Sequence, residues 1–232
     1  MEPKILFEDK HLIVTIKPPM VPSQSDKTKD EDMMTIIMNH IQSKGKETSK
    51  PYLGLIHRLD RPVGGIMVFA KTEFANAKLS EAIRLKQFKK IYYAVVCGKP
   101  ENLQGELRDH LVKLSTVNMS KVAMPENKNA KEAILSYSLV KTVVTVEYGA
   151  LSLLKIELET GRHHQIRVQL ANAGFPIWGD TKYNKQFVKV KDWIQIALWA
   201  AELSFKHPKE NIRLEFEEIP SAYPFSIFSP FS

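Results

Sequence analysis

An α+β fold, with a mixed, mostly antiparallel central sheet and flanking helices, is predicted by three observations. Short apolar runs broken by turn residues recur from residue 5 to residue 216. Three of them, 133–140, 143–148 and 151–158, follow one another through short connections, which implies an antiparallel meander. Three other segments carry apolar residues at helical spacing. With 232 residues and no repeat, low-complexity tract or linker, a single domain over 1–232 is expected.

In chain order, 5–7 and 12–16 read as a hairpin, and Pro18, Pro19 and Pro22 then start an extended loop. Asp30 or Asp32 can cap a helix packed by Met33, Ile37, Met38 and Ile41. A polar, basic connection over 43–51 is expected to be exposed and mobile. Runs 53–56 and 66–70 read as buried strands around a tight loop forced by Pro62, Gly64 and Gly65. Thr72 caps a helix to about Lys86, with Phe74, Ala77 and Leu85 available for packing. Strands are expected at 91–96 and 105–111, and 112–128 reads as a surface loop or insertion. The segment 161–174 reads as a helix with Ile166, Leu170 and Ala173 on its packed face and Gly174 as its end. A strand stub at 176–180, an apolar run at 194–205 and a last strand at 212–216 complete the pattern.

The 33 Lys and Arg against 26 Asp and Glu give a net charge of +7, which favours an anionic partner such as nucleic acid. A generally cationic protein is the plain alternative. A lone cysteine, Cys97, excludes an internal disulfide framework and points to a reducing compartment. The N-terminus lacks the pattern of a signal peptide, and no apolar run approaches the ~20 residues of a membrane span. A cytoplasmic protein without membrane association is expected. Nothing in the sequence demands a dimer, so a monomer is expected.

Polar groups set in apolar frames mark where chemistry could lie. His57-Arg58-Leu59-Asp60 places one carboxylate between Arg58 and Arg61 on a turn between rigid strands. Spacing alone permits either a structural ion pair or an active-site carboxylate. Adjacent His163 and His164 would point about 100° apart on a helix and lack a ligand at a chelating spacing, so a zinc site is not expected. Phosphate-binding glycine loops and a Gly-x-Ser-x-Gly elbow are absent from the sequence. A carboxylate, a tyrosine and an arginine remain, which suits cofactor-free chemistry at a sugar or base. On the expected helix His163 and Arg167 share a face, and an arginine beside Asp60 would hold it ionised and aimed.

Five stretches in order resemble the motifs of the RluA-type pseudouridine synthases. They are Phe7-Glu8-Asp9-x-x-Leu12 through Lys17-Pro18; His57-Arg58-Leu59-Asp60 through Gly65; Lys90-x-Tyr92-x-Ala94; Thr160-Gly161-Arg162-x-His164-Gln165-Ile166-Arg167 with Gly179-Asp180-x-x-Tyr183; and Leu203-x-Phe205-x-His207-Pro208. The resemblance implies the pseudouridine synthase fold with its catalytic cleft, and an isomerase that converts uridines of ribosomal or transfer RNA to pseudouridine. It implies no metal or organic cofactor. Carried over, Asp60 is the catalytic aspartate, Arg58 takes the stack position of the flipped-out nucleotide, Tyr92 packs on the target base, and Arg167 pairs with Asp60. His57, Arg162, His164, Lys86, Lys89 and Lys90 are further RNA-binding candidates, the lysines because they could track phosphates.

The chain departs from the family pattern in two places. Val63, Gly64 and Gly65 stand where Thr-Ser-Gly is usual, and Pro62 can stiffen the turn instead by fixing φ. His163 stands where a small hydroxyl residue is usual. Because the pattern begins by Ile5, no S4-type RNA-binding module is expected ahead of it. A non-catalytic RNA-binding relative is the alternative function, against which Asp60, Tyr92 and Arg167 argue. A glycoside hydrolase would need a second carboxylate at defined separation, and no motif supplies one.

Overall fold

Apolar alternation, interrupted by Gly, Pro and Asp, generates most elements where expected in a computed structural model that describes residues 1–44, 51–190 and 194–229. The described chain forms two compact units, Met1–Lys89 with Ala200–Glu218 and Lys90–Trp199 with Ile219–Ser232.

In the first unit, β1 (Lys4–Glu8) and β2 (Leu12–Lys17) form the expected antiparallel hairpin, and β2 pairs antiparallel with β4 (Gly64–Ala70). Every residue of β2 and β4 is buried, so both faces of these strands are covered. Between them lie α1 (Met33–Lys44) and the two-residue strand β3 (Gly54–Leu55), shorter than the run 53–56 suggests. Asp32 starts α1 as a cap: its Oδ1 accepts the Thr35 N–H at 3.2 Å and its Oδ2 accepts the Thr35 hydroxyl at 3.0 Å. Ser43 and Lys44, expected in the basic connection, belong to α1, while 45–50 lie outside the described residues.

Thr72 caps α2 (Glu73–Arg84) as expected, accepting the Ala75 N–H. The packed face differs from the expected one. Ala75 and Leu79, one turn apart, are buried, whereas Phe74 and Leu85 are about half exposed and Ala77 is exposed. A small residue at 75 brings the helix close to its support, and the larger side chains are left outside. Gly64 and Gly65, expected in the loop, open β4 instead. Gly65 has φ +127°, and a Cβ there would fall 2.3 Å from the Ala200 carbonyl oxygen. Only glycine permits that approach. Later in the chain β10 (Leu198–Lys206) pairs antiparallel with β11 (Arg213–Glu217).

The second unit is an antiparallel ladder of β5 (Lys89–Cys97), β9 (Gly149–Leu158), β8 (Lys131–Thr145), β6 (Gln104–Leu114) and β7 (Met119–Ala123), in that spatial order. The runs 133–140 and 143–148, expected as two strands, are mostly one. A register shift between Leu139 and Lys141 absorbs their change of phase within β8. The stretch 112–128 is not a loop, because it extends β6 and adds β7. Leu111, Lys113, Ser120 and Val122 share one face of this hairpin. Ser120 is the buried member opposite Lys113, so polarity conceals the period.

The helix expected over 161–174 is only α3 (Gln165–Asn172). His164 precedes it in the left-handed region at φ 54°. The Gln165 side chain holds the approach, its Oε1 accepting from Arg162 N–H at 2.9 Å and from the Thr160 hydroxyl at 2.8 Å. His163 and Arg167 therefore do not share a helix face. Residues 165–170 are all buried, while Ala173 is exposed rather than packed.

Candidate active site

Asp60 begins a turn closed by the Val63 N–H to Asp60 carbonyl bond of 2.9 Å, with Arg61 and Pro62 between them. Its flanks are fastened through backbone. On one side the Ser23 hydroxyl donates to the Leu59 carbonyl at 2.8 Å and accepts the Leu59 N–H at 3.1 Å. On the other, the Arg61 carbonyl accepts the Met20 N–H at 2.8 Å and the Lys17 ammonium at 3.0 Å. Asp60 itself stays half-buried.

Lys17 is fully buried, and its ammonium also donates to the carbonyls of Pro18 and Val21 at 3.0 and 2.6 Å. Burial drives its pKa down to about 7, against the attraction of the Asp60 carboxylate. Sequence reasoning missed Lys17 and Ser23 as supports of the turn. For Lys17 the available signals were its place in the motif ending Lys17-Pro18 and its position as a lysine closing an otherwise apolar strand.

The other predicted residues of this unit have distinct places. Arg58 is exposed. His57 is half-buried, and its Nε2 accepts the Val68 N–H at 3.2 Å, tying the approach to Asp60 to β4. Arg61 reaches Thr28 at 2.9 Å and forms ion pairs with Asp26 and Asp30, across the loop that precedes α1. Lys86, left-handed at φ 56°, and Lys89 are exposed just beyond α2.

In the second unit Tyr92 lies on β5 opposite Ile156 and is 7% exposed. Lys90 is half-buried, and burial lowers its pKa. Arg167 is 3% exposed on α3 and makes a bidentate pair with Asp180, Nε to Oδ2 at 2.8 Å and Nη2 to Oδ1 at 2.7 Å. Asp180 is itself buried, and its Oδ1 also accepts the N–H groups of Lys182 and Tyr183 at 2.9 and 3.2 Å. Arg162, in the approach to α3, is by contrast exposed and donates from Nε to the Glu132 carbonyl at 2.8 Å.

His164 is 7% exposed. Burial, with Arg167, His163, Lys182 and Lys113 nearby, pushes its pKa to about 2, so its ring is neutral. Its Nδ1 lies 2.7 Å from the Tyr183 hydroxyl. His163 stacks on His164 with ring centroids 3.8 Å apart, and its two nitrogens bond Ser120 Oγ at 2.8 Å and Asn118 Oδ1 at 3.1 Å. In place of the small hydroxyl usual at position 163, the chain carries an imidazole that meets a hydroxyl from β7.

Among the described residues, Asp9, His207 and Glu210 present three ligand atoms within 4.8 Å of one another. The His207 ring is already engaged at both nitrogens. Nε2 bonds Asp9 Oδ2 at 2.9 Å, and Nδ1 accepts the Glu210 N–H at 2.9 Å. No lone pair of the ring is left to bind an ion, and the group acts as a fastening between the start of the chain and the end of β10. No helix of the described residues is long and apolar enough to cross a membrane.

The sequence profile of the family described as RNA pseudouridylate synthase matches residues 11–172. A ribosomal large subunit pseudouridine synthase D of Zymomonas mobilis is 31% identical over 228 residues, covering 94% of this chain and 69% of that protein. An uncharacterized RNA pseudouridine synthase of Bacillus subtilis is 32% identical over 212 residues, covering 90% of this chain and 70% of that one. A Synechocystis relative, also an uncharacterized RNA pseudouridine synthase, is 30% identical over 205 residues, and the match spans 61% of its length. In fold, the chain resembles human RNA pseudouridylate synthase domain containing 4 with a TM-score of 0.79 at 22% identity, over 97% of this chain and 91% of that one. The α+β reading of the sequence stands, and the chain belongs to the RNA pseudouridylate synthase family, as an isomerase of the RluA type.

Proposed function

We propose that this chain isomerises specific uridines of ribosomal or transfer RNA, with Asp60 as the catalytic carboxylate acting at the sugar or the base. In the reaction the N1–C1′ bond breaks, the base rotates, and a C5–C1′ bond forms. The hydrogen of C5 leaves to solvent and N1 gains one. The observation that carries the reading is the Asp60 turn, a half-buried carboxylate whose neighbours on both sides are fixed by Ser23, Met20 and Lys17. A reacting group needs that combination of fixed geometry and access.

The remaining roles follow from the resemblance. Arg58, exposed and two residues before Asp60, fills the stack vacated by the flipped nucleotide. Tyr92 lends a face to the target base, where stacking is worth about 1–3 kcal/mol. Arg167, fixed in orientation by Asp180, is the arginine that the resemblance assigns to Asp60. Arg162, His57, His164 and the lysines Lys86, Lys89 and Lys90 serve RNA binding, the exposed ones by direct phosphate contact. Both units contribute to one catalytic domain, a reading supported by the family match, which runs from residue 11 to residue 172 through both. The chain works as a monomer in a reducing, cytoplasmic setting, in keeping with its single buried cysteine.

The test uses bulk RNA tritiated at uridine C5. The protein should release tritium, Asp60→Ala should abolish release while RNA retention on a filter stays nearly unchanged, and Tyr92→Ala should lower the rate far more than thermal stability. Release undiminished in Asp60→Ala would sink the assignment of Asp60. An inactive wild-type protein that still retains RNA would favour a binding module.

A further inference from the structure

Arg167 is gripped in its own plane by Asp180, but a planar fork on one carboxylate leaves the guanidinium able to tilt out of that plane. Tyr183 blocks the tilt. Its ring lies 5.2 Å from the Arg167 guanidinium carbon, in cation–π contact. The ring is in turn fixed from three directions. Ser120 N–H donates to the Tyr183 oxygen at 2.7 Å, and we assign the hydroxyl hydrogen to the 2.7 Å bond with neutral His164 Nδ1. The Tyr183 N–H donates to Asp180 Oδ1 at 3.2 Å. His164 packs edge-on against the ring with centroids 5.6 Å apart, and His163 stacks behind it. One tyrosine therefore joins the β6–β7 hairpin, the left-handed residue before α3 and the aspartate partner to a single guanidinium.

We propose that Tyr183 is a positioning residue for the isomerisation, holding the Arg167 guanidinium flat so that the edge not taken by Asp180 is presented to the reacting centre. The inference rests on the function proposed above for Arg167, and Tyr183 itself touches no reacting atom. A ring that only filled space would affect folding. A ring that aims a charge affects the rate of bound RNA.

The test is a double-variant cycle on the rate of tritium release under saturating enzyme. Tyr183→Leu should slow release about 10- to 100-fold with RNA retention within about twofold, and Tyr183→Phe, which keeps the ring, about 3- to 10-fold. In an Arg167→Lys background, which offers a point charge with no plane to hold, either change should slow release less than about twofold further. Equal slowing in both backgrounds, wild-type rates in both tyrosine variants, or a loss confined to the folded fraction would overturn the proposal. Should Tyr183→Leu not fold, Tyr183→Phe decides by the same comparison. Should Arg167→Lys fall below detection, the split between rate and retention decides. Failure of the wild-type protein to release tritium would remove the proposed function, and wild-type rates in Arg167→Lys and Arg167→Ala would remove the role of Arg167 and this inference with it. A silent tyrosine beside sensitive arginine variants would remove this inference alone.

Discussion

The turn that carries Asp60 and the segment that carries Arg167 both hold a charged side chain still, by opposite means. Around Asp60 the fold grips the flanking backbone, through Ser23, Met20 and Lys17, and leaves the carboxylate half-buried. Around Arg167 it grips the side chain itself, with Asp180 in the plane of the guanidinium and Tyr183 against its face. A group that must react has to keep a lone pair accessible, and fixing the backbone on either side steadies it without covering it. A group that supplies a fixed charge can be surrounded. Arg61 makes the contrast sharper, because it too pairs with aspartates, but on the surface and across a loop.

The largest effect should come from breaking the buried pair. Asp180→Ala removes the carboxylate that grips Arg167 at a position 3% exposed, and about 3–5 kcal/mol of stability should be lost in urea denaturation. A loss below about 1 kcal/mol would mean that Arg167 finds another partner or water.

Lys17 should show a pH signature of intermediate size. Its folded pKa, about 7, lies below its ordinary 10.5, so between those values the unfolded chain binds more protons and stability rises with pH. Relative to Lys17→Met, the wild-type protein should gain up to about 1.4 kcal/mol per pH unit between pH 7 and 9. A difference that stays flat across that range would show that the ammonium is not desolvated. The smallest effect is expected at the surface: Arg61→Ala should cost no more than about 1 kcal/mol, since half-exposed pairs are screened and entropically costly. A larger loss would make the loop before α1 part of the support of Asp60.

The sequence displayed what depends on local pattern. The β1–β2 hairpin, the Asp32 and Thr72 caps and strands β5 and β9 follow from alternation and capping chemistry within a few residues. It concealed what depends on distant partners. The phase change absorbed in β8 has no turn residue to announce it, and β7 is hidden because buried Ser120 is satisfied by His163 and Tyr183, 43 and 63 residues away. The start of α3 was misplaced because a left-handed, non-glycine residue, His164, leads into it.

The site divides along the same line. Asp60, Tyr92 and Arg167 were legible because the family resemblance marks them. Lys17, Ser23 and Asp180 earn their roles only when loops distant in sequence meet them, and no spacing rule displays that.

The central claim is tested most directly by following the nucleosides themselves. Bulk RNA lacking the modification, incubated with the protein and digested to nucleosides, should show uridine falling and pseudouridine rising by equal amounts. Asp60→Asn, which preserves the shape of the side chain and removes its charge, should show neither change. Conversion by Asp60→Asn at the wild-type rate would contradict the account.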